Sequence, residues 1–272
     1  MQEIELSSRL YEEDGARVMT MTALFGLDND SPARTPLTFI VMDRTLVTIR
    51  YAELKTFIGY SARATRSKAG PCEAGGLVML GLLEAIIDRI ADALEKIAAE
   101  IDALSRDVFR HPVARSRRLT RDLEALIGRI GRQGDLLTML QESIVSVSRV
   151  VTYFAATDGI EQKPGREVRQ GVQLIQRDAG SLGEHALFLS EKISFLLNAT
   201  LGLITLEQNK IIKIFSIVSV VFMPPTLVAS IYGMNFERMP ELTWALGYPL
   251  ALVLMVVFAV LPFLFFKGKG WL

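Results

Sequence analysis

The sequence predicts a mainly α-helical chain with an N-terminal α/β part, in which a long stalk helix continues into the first of two C-terminal transmembrane helices. Three observations carry this reading. Residues 214–236 and residues 242–266 contain no Asp, Glu, Lys or Arg, and each run is long enough for the roughly 20 apolar helical residues that cross a bilayer. Upstream, residues 167–232 offer nothing that forces a helix to stop before the pair Pro224-Pro225. Near the start lie short runs of β-branched and aromatic residues. The 272-residue chain is 50% hydrophobic and 22% charged, and most of that charge falls in the first 200 residues, which read as soluble.

Taken in order, "ARVMTMTALFG" reads as a strand, and "TFIVMD" and "TLVTIR" as two strands of a hairpin turning at Asp43-Arg44. These define a cytoplasmic α/β domain over residues 1–70. "SKAGPCEAGG" carries turn residues and separates strand from helix. Leu82, Ile86, Ile90, Leu94, Ile97, Ile101, Leu104 and Val108 then recur at spacings of 3 and 4, which predicts an amphipathic helix over 77–109. "RHPVARS" breaks it. A second helix over 115–157 runs through Leu119, Leu123, Leu126, Ile130, Leu137 and Leu140, making a helical hairpin over 71–158 that ends at Gly159, Pro164 and Gly165. From there Val168, Val172, Ile175, Ala179, Leu182, Ala186, Leu189, Ile193, Leu196, Thr200 and Leu203 keep a 4-3-4-3 rhythm without a slip. A sustained 3.5-residue period marks a seam packed against other helices. At 1.5 Å per residue the helix from Glu167 to Tyr232 would be roughly 100 Å long. The stalk occupies 159–210, the first span 211–232, an external loop 233–241, the second span 242–266 and a basic tail 267–272.

Net charge is zero, so no nucleic-acid partner is expected. The single Cys72 excludes a disulfide framework and reads as an inert thiol in a reducing compartment. "MQEIELSSRL" is polar and acidic, unlike a signal peptide. Lys210 and Lys213 precede the first span and Lys267 and Lys269 follow the second, whereas the loop between carries Arg238 against Glu237 and Glu241. Lys and Arg stay on the cytoplasmic side, so both termini are expected in the cytoplasm. An enzyme is not expected: His111 and His185 fall on separate helices, and no Ser/His/Asp set, nucleotide loop or Cys pair is present.

The first span is not apolar all round. Steps of 3 and 4 from Asn209 pass through Ile212, Ser216, Ser219, Met223, Thr226, Ser230 and Gly233, a stripe dominated by small or hydroxyl-bearing residues. Polar groups in a membrane helix face protein or water, and small residues allow close helix approach. The stripe is therefore either a tight helix–helix seam or one wall of a path. Two spans per chain are too few to enclose a path, so a path requires a homo-oligomer. Neutral oxygens would not strip the tightly held waters of a small divalent ion such as Mg²⁺, but they suit passage of the hydrated ion. Asn235 would place a ring of amides at the mouth, and Glu237 and Glu241 beyond it would raise the local cation concentration. Gly233 is expected to free the backbone to turn.

"YGMNFERMPEL" between two terminal spans resembles the CorA family of magnesium channels, whose signature is Tyr-Gly-Met-Asn followed by Met-Pro-Glu-Leu; here these are Tyr232 to Asn235 and Met239 to Leu242. "EQNKIIKIFSIVSVVFMPPTLVAS", "GYP" at 247–249, "FFKGKGWL" and "SSRLYEEDG" are also similar to the family. The resemblance covers most of the chain and is strongest from 205 to the end. It implies a funnel-shaped homopentamer in the bacterial inner (plasma) membrane, with the first span lining the pore and the second against lipid. It implies inward passage of Mg²⁺, with Co²⁺ and Ni²⁺ also admitted, down the electrochemical gradient. No cofactor is implied; Mg²⁺ is substrate and regulatory ligand. Gly233, Met234 and Asn235 match the family's selectivity motif. Asn209, Ile212, Phe215, Met223 and Thr226 fall where the family places pore-facing residues, so Phe215 competes with Ser216. Cytoplasmic Mg²⁺ holds family members closed; Asp178 matches a comparable stalk Asp, with Asp88, Asp92 and Glu95 as candidate partners. Against the family pattern, the α/β domain reads as N-terminally shortened and the basic tail is thin.

Two alternatives stay open. A zinc transporter of the same superfamily shares the architecture, although Met234 argues against it. A membrane-anchored coiled-coil scaffold would explain the stalk but neither the hydroxyl stripe nor the loop.

Overall fold

The computed structural model describes the chain apart from residues 1–8, 29–30, 43, 67–73, 111–115, 162–164, 236–238, 241–243 and 271–272. Cys72, His111, Asp43, Glu237 and Glu241 lie outside the described residues, as does the side chain of Leu119. The chain divides into two compact units, residues 1–200 and 201–272.

The first unit opens with an antiparallel meander, β1 (Leu10–Glu13), β2 (Ala16–Phe25), β3 (Ala33–Met42) and β4 (Thr45–Arg50), in the order β1-β2-β3-β4. The three expected strands are β2, β3 and β4, and Met42 pairs with Thr45 across the expected two-residue turn. β1 is a fourth strand. It joins β2 through Asp14 (φ 51°) and Gly15 (φ 77°), the two left-handed residues that a type I′ hairpin turn requires. Met19, Met21, Ala23, Leu37, Phe39 and Val41 alternate to the buried face, as a sheet with one covered face demands.

The edge of β2 is finished by a helix. The N–H of Thr20 reaches the Arg9 carbonyl (2.8 Å), so Thr22, two residues on, points its backbone groups the same way, beyond the end of β1. There Ser146 Oγ accepts from the Thr22 N–H (2.9 Å) and Ser143 Oγ donates to the Thr22 carbonyl (3.0 Å). Both serines are buried; leaving such backbone groups unpaired would cost about 1–3 kcal/mol each. Pro36 sits opposite Thr22 and directs its missing donor away from β2, past the end of β4, where no ladder bond is lost.

Three long helices complete the unit behind α1 (Lys55–Arg66): α2 (Gly75–Arg110), α3 (Ser116–Glu161) and α4 (Arg166–Tyr232). The sequence did not place α1, and α3 runs past Gly159 to Glu161 rather than stopping at 157. All eight expected seam residues of α2 are buried, as are Leu123, Leu126, Ile130, Leu137 and Leu140 of α3. Along α4, Val172, Ile175, Ala179, Ala186, Leu189, Leu196 and Thr200 are buried and Val168, Leu182, Ile193 and Leu203 half-buried. None of the eleven rhythm positions is exposed, which is what a packed seam requires. Within this unit α4 runs parallel to α2: Leu80 lies against Gly171, Asp102 binds Lys192, and the Phe109 and Phe195 rings stack at 6.0 Å. It runs antiparallel to α3, with Thr152 near Gln176, Ile144 near Gly183 and Gly134 near Ile193. The stalk is one strand of an intramolecular three-helix bundle.

The second unit holds the rest of α4 and α5 (Gly247–Gly268). Both helices are long and apolar enough to cross a membrane. α5 begins five residues into the uncharged run, just ahead of Pro249, because a proline is accommodated in a first turn, where its missing N–H has no partner to lose.

Candidate functional site

The phase of α4 in the second unit decides which side its polar stripe occupies. Ile217 is buried and Val221, Pro224, Val228 and Tyr232 half-buried; on α5, Gly247 and Ala251 are buried and Leu254, Met255, Ala259 and Pro262 half-buried. Positions 217, 221, 224, 228 and 232 recur at 3 and 4, so they form the face that α4 turns to α5. Asn209, Ile212, Ser216, Ser219, Met223, Thr226 and Ser230 lie roughly half a turn away at about 100° per residue. All seven are exposed. The stripe therefore does not pack against the chain's own second span. Phe215 and Ser216, the two competing positions, flank its centre line, and both are exposed.

Three of the four hydroxyls on the stripe have committed their hydrogens. Ser216 Oγ donates to the Ile212 carbonyl (2.9 Å), Ser219 Oγ to Phe215 (2.9 Å) and Thr226 Oγ1 to Phe222 (2.8 Å). This back-bonding is the ordinary local choice of a helical Ser or Thr. A hydroxyl has one hydrogen and two lone pairs, so these groups present acceptors outward. α4 also runs through Pro224 and Pro225, which deprive the Val220 and Val221 carbonyls of their donors. That would cost about 3 kcal/mol or more inside a soluble helix, but neighbouring helices and water compensate it in membrane proteins. The prolines lie on the α5 side, so they do not interrupt the stripe.

At the end of α4 the Gly233 N–H donates to the Ala229 carbonyl (2.9 Å) and the Met234 N–H to Ile231 (3.3 Å). Gly233 does not adopt a positive φ, so the expectation that its freedom makes the turn is corrected. A Cβ there would stand 3.1 Å from the Ala229 carbonyl oxygen, a tight contact that a shift of a few tenths of an ångström would relieve. Gly233, Met234 and Asn235 are all exposed.

The acidic candidates are not brought together within one chain. Asp88, Asp92 and Glu95 are exposed on α2, while Asp178 on α4 is half-buried and pairs with the adjacent Arg177 (3.2 Å). Among the described residues no three His, Cys, Asp or Glu side chains are grouped closely enough to hold a metal ion. Two other carboxylates do organise the first unit. Asp28, after β2, takes Lys55 of α1 (2.8 Å) and Arg89 of α2 and lies 3.9 Å from Lys96. Hydrogen bonds from Lys55 and then Arg89 pull its carboxyl from 3.8 to about 2. Asp102 is held below the usual carboxylate range, first by its hydrogen bond from Lys192 on the stalk.

The fold has two helices long and apolar enough to cross a membrane, and its relatives set it among the ion transporters, not the enzymes. The family described as "CorA-like Mg2+ transporter protein" matches residues 1–267, and the chain belongs to the CorA family. It is 36% identical over 273 residues to the magnesium transport protein CorA of Yersinia pseudotuberculosis, covering all of this chain and 83% of that one. It is 35% identical over 272 residues to that of Escherichia coli K12, with the same coverage. Its fold matches the complete structure of the CorA magnesium transporter from Methanocaldococcus jannaschii with a TM-score of 0.77 at 19% identity, over 97% of this chain and 80% of that one.

Trp244 was not singled out in the sequence; with Tyr232 and Tyr248 it gathers near Gly233 in the second unit. Aromatic residues at the ends of spans are the signal that marks them.

Proposed function

We propose that this chain is a magnesium channel of the bacterial inner membrane, in which several copies, five by family resemblance, pass hydrated Mg²⁺ inward down its electrochemical gradient. The observation that carries the reading is the stripe from Asn209 to Ser230: exposed, turned away from α5, and presenting at Ser216, Ser219 and Thr226 hydroxyl lone pairs whose hydrogens are already used. The waters around a cation point their hydrogens outward, so an acceptor surface suits a hydrated cation and opposes an anion. Mg²⁺ gives up its waters reluctantly, and neutral oxygens hold those waters without demanding their removal. Asn209 stands at the inner end of the path and Asn235 at its mouth, beside Gly233 and Met234. Both termini lie in the cytoplasm, where Lys210, Lys213, Lys267 and Lys269 favour them.

The same path admits Co²⁺ and Ni²⁺, whose hydrated forms carry equal charge. Internal Mg²⁺ closes it by binding between copies, with Asp178 set toward Asp88, Asp92 and Glu95 of a neighbour. Support for the last point is that Asp88, Asp92 and Glu95 are exposed. Asn235→Ala is expected to abolish Mg²⁺ uptake in a transport-deficient cell while the oligomer still assembles. Unchanged uptake would remove Asn235 from the selectivity role.

A further inference from the structure

We propose that the end of the two-span hairpin that carries Gly233 binds one acyl chain of a bilayer phospholipid between α4 and α5. A cavity of about 390 Å³ opens there, within the roughly 300–1,000 Å³ range of small-molecule sites. Its hollow comes from small residues, Ala229 on α4 and Gly233 just past its end, with Gly247 and Ala251 on α5. Its rim is aromatic: Tyr232, Trp244 and Tyr248. Protein interiors rarely keep voids larger than a water molecule, and an apolar space of this size is filled in a membrane by whatever adjoins it.

Two features make that neighbour lipid. Leu252 lines the cavity and also belongs to the exposed apolar surface of α5 that continues through Val256 and Val260, so the cavity is continuous with the lipid-facing side. Among the described lining residues the polar side-chain groups are phenols and an indole, a chemistry that favours headgroup depth with an apolar body turned inward. That arrangement admits a hydrocarbon chain and leaves its polar end outside. Neither Thr226 nor Ser230 lines the cavity, so the site meets the polar stripe only at its last residue, Gly233. It shares Gly233 as a wall, so an acyl chain lodged there braces the start of the Gly-Met-Asn segment.

The test uses the full chain with Trp271→Phe, leaving Trp244 as the only tryptophan of the two in the sequence. The protein is reconstituted in phosphatidylethanolamine–phosphatidylglycerol vesicles containing a graded fraction of phosphatidylglycerol brominated on its acyl chains. Trp244 fluorescence is expected to fall steeply and saturate at low brominated fraction. Ala251→Leu and Ala229→Leu fill the hollow from opposite walls, and each is expected to reduce that quenching at least twofold and make it linear in brominated lipid. Quenching that is linear in the parent protein, or equal in parent and filled variants, overturns the site, because Trp244 then senses only bulk lipid. Absence of quenching in the parent also overturns it, because the cavity is then occupied by protein, such as a side chain of a second copy. If neither filled variant assembles, saturation against linearity in the parent decides alone.

Discussion

At the scale of single residues, the account turns on what Ser216, Ser219 and Thr226 have left to offer once their hydrogens are bound to Ile212, Phe215 and Phe222. Removing such a hydroxyl takes away an acceptor from the stripe but deletes no helical backbone bond, so α4 keeps its ladder. The double variant Ser216→Ala/Ser219→Ala is therefore expected to slow Mg²⁺ uptake several-fold at unchanged assembly, whereas Val218→Ala, off the stripe, leaves the rate within twofold. Equal loss in both would mean that α4 was disturbed rather than the path. The stripe was legible in the sequence because a membrane helix exposes polar periodicity plainly. The reason for Gly233 was not legible. A glycine after a helix is read first as a left-handed cap, whereas Gly233 has no positive φ and continues the helical hydrogen bonding to the Ala229 carbonyl.

At the scale of elements, strongly periodic segments were read with nearly correct limits and weakly patterned ones were missed. The 3.5-residue rhythm of α4 survived because every one of its positions is covered. What the rhythm could not say is which helices cover it; α2 and α3 of the same chain do so in the first unit. β1 was missed because "LYEE" is short, polar and at an edge, and the readable signal was instead Asp14-Gly15 between it and β2. α1 was missed because "KTFIGYSARATR" carries a glycine and few apolar residues. Its placement comes partly from Asp28, whose carboxylate ties α1 and α2 to the end of β2. That tie makes a pH prediction. A carboxyl lowered in the folded state from 3.8 to about 2 contributes stability that is complete above the unfolded value and lost as pH falls through the folded one. The stability difference between the parent and Asp28→Asn, followed by chemical unfolding, should be constant from pH 7 to about pH 5 and shrink between about pH 4 and pH 2. A difference that does not change with pH would deny Asp28 this role.

At the scale of the whole molecule, one chain supplies a single polar wall and two spans, and a wall turned away from its own second span requires other copies to close a path. Crosslinking the intact protein in mild detergent is expected to give a ladder ending at five-subunit products; a ladder that stops at dimers would contradict the enclosed path. The second unit's two apolar helices were legible from charge depletion, and the family was legible from the Tyr-Gly-Met-Asn signature. The packing phase of α4 against α5 was not legible, because both helices are apolar on several faces and only their contacts select one. The central claim is that the exposed stripe conducts a hydrated cation. Its most direct test is Mg²⁺ entry into proteoliposomes, measured with an entrapped Mg²⁺ indicator, with and without an imposed potential negative inside. A conducting stripe predicts entry that rises with the potential and disappears with Asn235→Ala. Entry no faster than in protein-free vesicles at any potential would contradict it.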